Sequence, residues 1–121
     1  MVNKQDFLNA FYQDIDMVKG DTMAFNLQLK GLQEAEPTIV FSCSESYNDA
    51  PIFTVDTEDG GITLESYDSE SDTALYTVLV APDKTEDMAL GRYYYDLELT
   101  LDDNVVTLMR GRLTLLYGVK N

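Results

Sequence analysis

The longest regular pattern in the chain runs from Gly91 to Tyr117, GRYYYDLELTLDDNVVTLMRGRLTLLY. Tyr93, Tyr95, Leu97, Leu99 and Leu101 occupy one side of a strict two-residue alternation, and Arg92, Tyr94, Asp96, Glu98 and Thr100 the other. That period belongs to a half-buried strand. Asp102-Asp103-Asn104 follows, with short side chains that hydrogen-bond their own backbone and tolerate positive φ, so a tight turn is predicted there. The return strand opens with Val106 and Leu108 in phase but resumes with Leu113, Leu115 and Tyr117, a change from even to odd positions. One extra residue absorbs such a change, and Gly111, between Arg110 and Arg112, is the expected bulge. Each inward side chain contributes about 1.5–3 kcal/mol when fully buried, which makes this hairpin the expected centre of the core.

Upstream segments supply partners for it. Met23, Phe25, Leu27 and Leu29 alternate with Ala24, Asn26, Gln28 and Lys30, a second clear strand. Asp14 to Val18 alternates more weakly and, with a turn at Lys19-Gly20-Asp21, predicts an early hairpin with that strand. Thr38–Ser44 puts Ile39, Phe41 and Cys43 on one face. Short strands are expected at Ile52–Val55 and Ile62–Leu64 around an Asp59-Gly60-Gly61 turn, and Ser66–Asp72 has the composition of an acidic loop. Ala74–Ala81 is apolar on both faces, as in a central strand covered on its second side by a neighbouring subunit or by the chain's own N-terminal arm. Pro82–Leu90 predicts a helical turn, with proline at its start and Gly91 just past its end. A hydroxyl of Tyr93 or Tyr95 is placed to reach back to that turn's backbone, as a tyrosine corner does. Residues 1–12 form either a helical turn or an extended arm. The sum is an all-β chain, an antiparallel β-sandwich of about eight strands with one short helical turn. It comprises an arm at 1–12 and a single domain at 13–121.

Charge and composition narrow what such a domain does. The formal net charge is -14, and no basic residue occurs between Lys30 and Lys84. Phosphate backbones and anionic membranes repel such a surface, so neither nucleic acid nor membrane is an expected partner. No apolar run approaches the roughly 18 residues of a membrane span, and the first residues lack the apolar centre of a signal peptide, so cytoplasmic synthesis is expected. Cys43 is the single cysteine; its place on an apolar face makes it a core residue rather than a nucleophile. Histidine is absent, which removes imidazole bases, triads and histidine metal sites. Neither a CxxC pair nor a glycine-rich phosphate loop occurs, and no tryptophan offers a sugar platform. No catalytic residue and no cofactor is therefore expected. Asp56, Glu58 and Asp59 are calcium candidates, with a solvated acidic loop as the alternative reading. Phe7, Leu8, Phe11, Tyr12, Leu116 and Val119 exceed what a small core takes in and are interface candidates.

Several blocks together carry a resemblance: FNLQLKG (25–31), TIVFSCSES (38–46), APIF (50–53), GGITL (60–64), and above all LGRYYYDLELT followed by TLMRGRLTLL. The pattern is similar to the immunoglobulin-like β-sandwich of structural proteins of tailed bacteriophages and prophages, the N-terminal domain of upper baseplate proteins among them. The resemblance covers roughly residues 13–117 and is most specific in the G-x-Y-x-Y-D-x-x-L block with its trailing R-G-x-L-T. It implies a non-catalytic assembly module of a virion, in baseplate, tail, neck or head, made in the bacterial host's cytoplasm. Its expected partners are other virion proteins or further copies of itself. An independent immunoglobulin-like module binding a carbohydrate or surface ligand is the alternative, and would need a concave face lined by aromatic and polar groups.

Overall fold

The computed structural model of the protein describes residues 11–118, which form nine strands in two sheets and a single 3-10 turn at Pro82–Lys84. β8 (Gly91–Leu101) and β9 (Asn104–Leu116) are the expected hairpin. Asp102 and Asp103 take φ of 51° and 67°, so a two-residue turn whose twist suits the flanking strands joins them. β8 is the pivot of the larger sheet: β9 pairs with one edge, β4 (Thr38–Ser44) with the other, and β5 (Phe53–Asp56) extends beyond β4. β1 (Phe11–Tyr12) and β2 (Ile15–Val18) lie on the far edge of β9 and run parallel to it. The smaller sheet is β3 (Met23–Lys30), β7 (Thr73–Val80) and β6 (Ile62–Asp68), with β7 central as its sequence predicted. The architecture is an immunoglobulin-like β-sandwich.

Its core follows the two-residue periods. Ile39, Phe41 and Cys43 from β4, Tyr95, Leu97 and Leu99 from β8, and Leu113 and Leu115 from β9 meet Leu27, Tyr76, Val78 and Val80 of the opposite sheet. Phe41 is the aromatic hub, stacked 5.2 Å from Tyr95 and 6.3 Å from Phe53, with Phe25 edge-on at 6.1 Å. Cys43 is wholly buried, and burial pushes its thiol up to about 12, the state of an inert core residue.

Three details differ from the sequence expectations. Asp14–Val18 and Met23–Lys30 are not a hairpin, because β2 pairs with β9 and β3 with β7, in different sheets. The turn between them therefore crosses from one layer to the other. The acidic stretch after Leu64 is strand as far as Asp68, with a register shift between Leu64 and Ser66 that leaves Glu65 over. The bulge in β9 exists but is displaced. Leu97 faces Met109 and Glu98 faces Thr107, so the extra residue is Leu108, and pairing from Met109 to Leu115 is unbroken.

Gly111 therefore sits in a regular pair with Tyr95, and its small size serves another purpose. Between β1 and β2 the chain passes directly over it. A Cβ added at Gly111 would lie 2.1 Å from the Gln13 carbonyl oxygen and 2.8 Å from its carbon. Both are backbone atoms, so no side-chain rotation relieves the clash. Gly111→Ala is expected to cost on the order of 3 kcal/mol, read in denaturant unfolding. Faster amide exchange should accompany it across residues 13–18. Unchanged stability with unchanged exchange would refute the close approach.

Candidate functional site

Two surfaces concentrate side chains that the core does not use. The first is the outward face of the larger sheet. Tyr94, Asp96 and Glu98 project from β8, Arg110 from β9, and Tyr47 arrives from the loop after β4. The Arg110 guanidinium lies 4.1 Å above the Tyr47 ring, which also meets the Tyr94 ring at 4.8 Å, tilted by 49°. The Tyr47 hydroxyl donates to the Gly111 carbonyl at 3.0 Å. Arg110 Nε is buried without a hydrogen-bond partner. Beside this cluster is a shallow cleft of about 150 Å³, lined by Ser42, Ser44, Asp49, Asp96 and Glu98 among others. Burial pushes the Asp96 carboxyl above its ordinary value, with Arg110 opposing, and burial followed by the Asp96 charge does the same to Glu98.

The second surface is one end of the sandwich. Leu90, Leu116 and Tyr117 are 47%, 40% and 66% exposed, and an open cavity of about 350 Å³ is lined by Lys19, Gly20, Glu86, Leu90, Tyr117 and Gly118. Local chemistry holds this end in shape. Thr85 is fully buried; its hydroxyl accepts from the Gly20 N–H at 3.1 Å, and its carbonyl accepts from the Met88 N–H at 2.9 Å. The Lys19 N–H donates to the Leu116 carbonyl at 3.0 Å. The Tyr93 hydroxyl donates to the Ala89 carbonyl at 2.6 Å, which is the tyrosine corner expected from the sequence. The Tyr95 hydroxyl goes elsewhere, to the Gln13 carbonyl. Leu90 thus leaves a loop pinned on both sides, and its side chain is displayed rather than tucked in.

The sequence-derived candidates divide accordingly. Phe7, Leu8 and Val119 lie outside the described residues, as does the side chain of Phe11. Tyr12 is 62% exposed and pairs with Arg110, beside the aromatic cluster; Leu116 belongs to the apolar end. Six residue steps along β9, from Arg110 to Leu116, separate these two positions, about 20 Å of strand, so they do not form one patch. Tyr117, expected inward, lies beyond the end of β9 and is exposed. Leu90 was not legible as a surface residue, because the helical-turn pattern around it gives no face to a residue in its last position.

Two of the three calcium candidates, Asp56 and Asp59, cap the turn they sit in. Asp56 Oδ1 accepts from the N–H groups of Glu58 and Asp59 at 2.8 and 2.7 Å, and Asp59 Oδ1 accepts from Gly61 and Asp56 at 2.7 and 3.1 Å. These bonds, that from Gly61 first, hold the Asp59 carboxyl below its usual range. Among the described residues no group of three or more histidine, cysteine, aspartate or glutamate side chains is placed to hold a metal ion. One carboxylate oxygen of Asp56 and one of Asp59 are thus engaged by backbone donors of the turn.

No protein-family model matches the chain, and no curated protein does. Among solved structures it is similar to part of a family 123 glycoside hydrolase from Clostridium perfringens, described in a study of glycolipid glycan hydrolysis. That match has a TM-score of 0.55 and 15% identity, covering 94% of this chain and 24% of that one. A ZIG-8–RIG-5 IG1–IG1 heterodimer matches with a TM-score of 0.40 and 12% identity, over 94% of this chain and 89% of that one. The chain thus spans about a quarter of the hydrolase's length, and the likeness is one of fold.

The raised carboxyls on the sheet face make a pH-dependent prediction. A carboxyl raised in the folded state holds its proton more tightly there than in the unfolded chain. Its ionisation therefore costs stability above the folded pKa, and the cost disappears as pH falls below the unfolded value near about 4. Asp96→Asn should melt above the wild type at pH near 7, and the difference should shrink towards zero as pH approaches about 4. A lower melting temperature for the asparagine variant at neutral pH would mean that attraction to Arg110 outweighs burial.

Proposed function

We propose that the protein is a non-catalytic assembly module, an immunoglobulin-like sandwich that docks on other proteins of a phage or prophage virion or on copies of itself. The observation that carries this reading is the apolar end, where Leu90 and Tyr117 stand exposed at an open cavity, with Leu116 exposed next to Tyr117 in sequence, in a chain otherwise rich in acid. A cluster of large apolar side chains with a polar rim, here Lys19 and Glu86, is the usual anatomy of a protein contact. The sequence resemblance supplies the class of assembly, and virion location follows from it. Among the described residues no helix is long and apolar enough to cross a membrane.

The alternative, a carbohydrate- or surface-ligand module, needs an aromatic ring with a free face. On the sheet face the Tyr47 ring carries Arg110 on its face and Tyr94 at its side, so that face favours the assembly reading.

Induced phage particles from the strain that encodes the chain provide the test. Mass spectrometry of purified particles should find the protein in fixed ratio to the tail or head proteins. Leu90→Asp combined with Tyr117→Ala should lower incorporation at least about tenfold while leaving the melting temperature of the isolated domain nearly unchanged. Particles that lack the wild-type protein would overturn the virion assignment. Equal incorporation of the variant would overturn the role of the apolar end.

A further inference from the structure

The outer face of the smaller sheet has a charge pattern unlike the rest of the chain. Strand pairing arranges its outward side chains in rows across β3, β7 and β6. Ala24 stands beside Leu79, whose N–H donates to the Gly61 carbonyl at 2.8 Å. Asn26, Thr77 and Thr63 form the next row, and the Thr77 hydroxyl donates to Asn26 Oδ1 at 3.2 Å. Gln28, Leu75 and Ser66 form the third. These eight side chains include no charge, although 25% of all residues are charged and Asp and Glu number 22. Leu79 is 41% exposed on the central strand, in the first row of this face. Charge enters at the β6 edge, where the carboxylate of the bulge residue Glu65 accepts from the Thr63 hydroxyl at 3.1 Å, and in the fourth row, where Thr73 is flanked by Lys30 on β3 and Asp68 on β6.

We propose that this face is a self-association surface, pairing two copies of the chain face to face about a two-fold axis that runs along β7. The proposal deepens the assembly reading by naming where copies touch, and it stands apart from docking at the apolar end. Two molecules of net charge -14 repel each other over most of their surfaces, and that repulsion is least over the first three rows, where Glu65 at the β6 edge is the acid beside otherwise uncharged side chains. The fourth row then fixes the symmetry. A two-fold axis along the central strand lays the β3 edge of one copy over the β6 edge of the other. Lys30 meets Asp68 of the second copy, and Asp68 meets its Lys30, the reciprocal contact that an isologous interface requires. Leu79 meets its own counterpart on the axis, as Leu75 does.

Size sets the strength. Three strands at about 4.8 Å spacing and roughly 27 Å in length present about 400 Å² per copy, around half the area of a standard interface partner. The dimer is therefore a concentration-dependent one in rapid exchange.

Sedimentation equilibrium of the full chain, up to millimolar concentration, tests the proposal. The weight-average mass should rise from monomer towards dimer. Leu79→Asp, which sets two carboxylates against each other on the axis, should lower the association constant at least about tenfold. Thr77→Lys serves in its place if that variant loses the wild-type circular dichroism spectrum. Lys30→Glu and Asp68→Lys should each weaken association by about tenfold, and the double charge exchange should restore it to within about twofold. A mass that stays monomeric at every concentration overturns the proposal, as does association indifferent to Leu79→Asp. Failure of the double exchange to restore association overturns the two-fold geometry. None of these outcomes bears on virion incorporation through Leu90 and Tyr117.

Discussion

Tyr95 couples the interior of the sandwich to the course of its first strands. Its ring is stacked on Phe41 at the aromatic centre, and its hydroxyl crosses out of the core to the Gln13 carbonyl. Burial raises that hydroxyl to about 12, so it remains a proton donor throughout the physiological range. The bond requires the chain at Gln13 to lie against β9, and only a glycine opposite Tyr95 leaves room. Once the chain is there, Gln13 N–H donates to the Arg110 carbonyl at 3.0 Å, and Asp14 Oδ1 accepts from the Arg112 N–H at 3.0 Å. β2 then covers the β9 edge, Met17 enters the core, and the Lys19–Gly20 turn is delivered to Thr85. The exposed apolar end thus depends on a contact made well inside the fold.

The acidity of the chain has a local explanation as well as a global one. Asp14, Asp56, Asp59, Asp68 and Asp72 each accept at least one backbone N–H, most of them within a turn. Asp72 also takes the Tyr67 hydroxyl at 2.7 Å. In an all-β domain of short connections, aspartate serves as the cap that lets the backbone reverse. Net charge alone points to solubility and to the partners that are repelled. The hydrogen bonds show that several of these carboxylates are also structural parts.

What the sequence made legible was what a two-residue period encodes. The inward set of β8, the central place of β7, the turn at Asp102-Asp103, the core role of Cys43 and the tyrosine corner at Tyr93 all follow from local pattern and turn chemistry. What failed were non-local pairings. β2 and β3 are adjacent in sequence and alternate alike, yet the parallel edge of β9 captured the first of them, and no local pattern encodes that choice. Gly111 carried the right signal for the wrong reason, because a glycine in a strand marks either a bulge or a close backbone approach. Only the position of Gln13 separates the two. For the candidate surfaces, Tyr12 and Leu116 were recognisable as surplus apolar residues, whereas Leu90 and the uncharged rows of the smaller sheet became visible only through strand pairing.

The parallel pairing of β2 with β9 has a mechanical meaning. The described chain enters beside Met109 and leaves past Leu116, at opposite ends of the same strand pair. Tension applied between those two points pulls β2 and β9 along their length in opposite senses. The bonds from Ile15–Leu113 to Val18–Leu116 then carry the load together, in shear, instead of opening one after another as a zipper does. A domain tethered by both ends inside a larger particle would resist stretching at this seam before any other part of its fold was loaded.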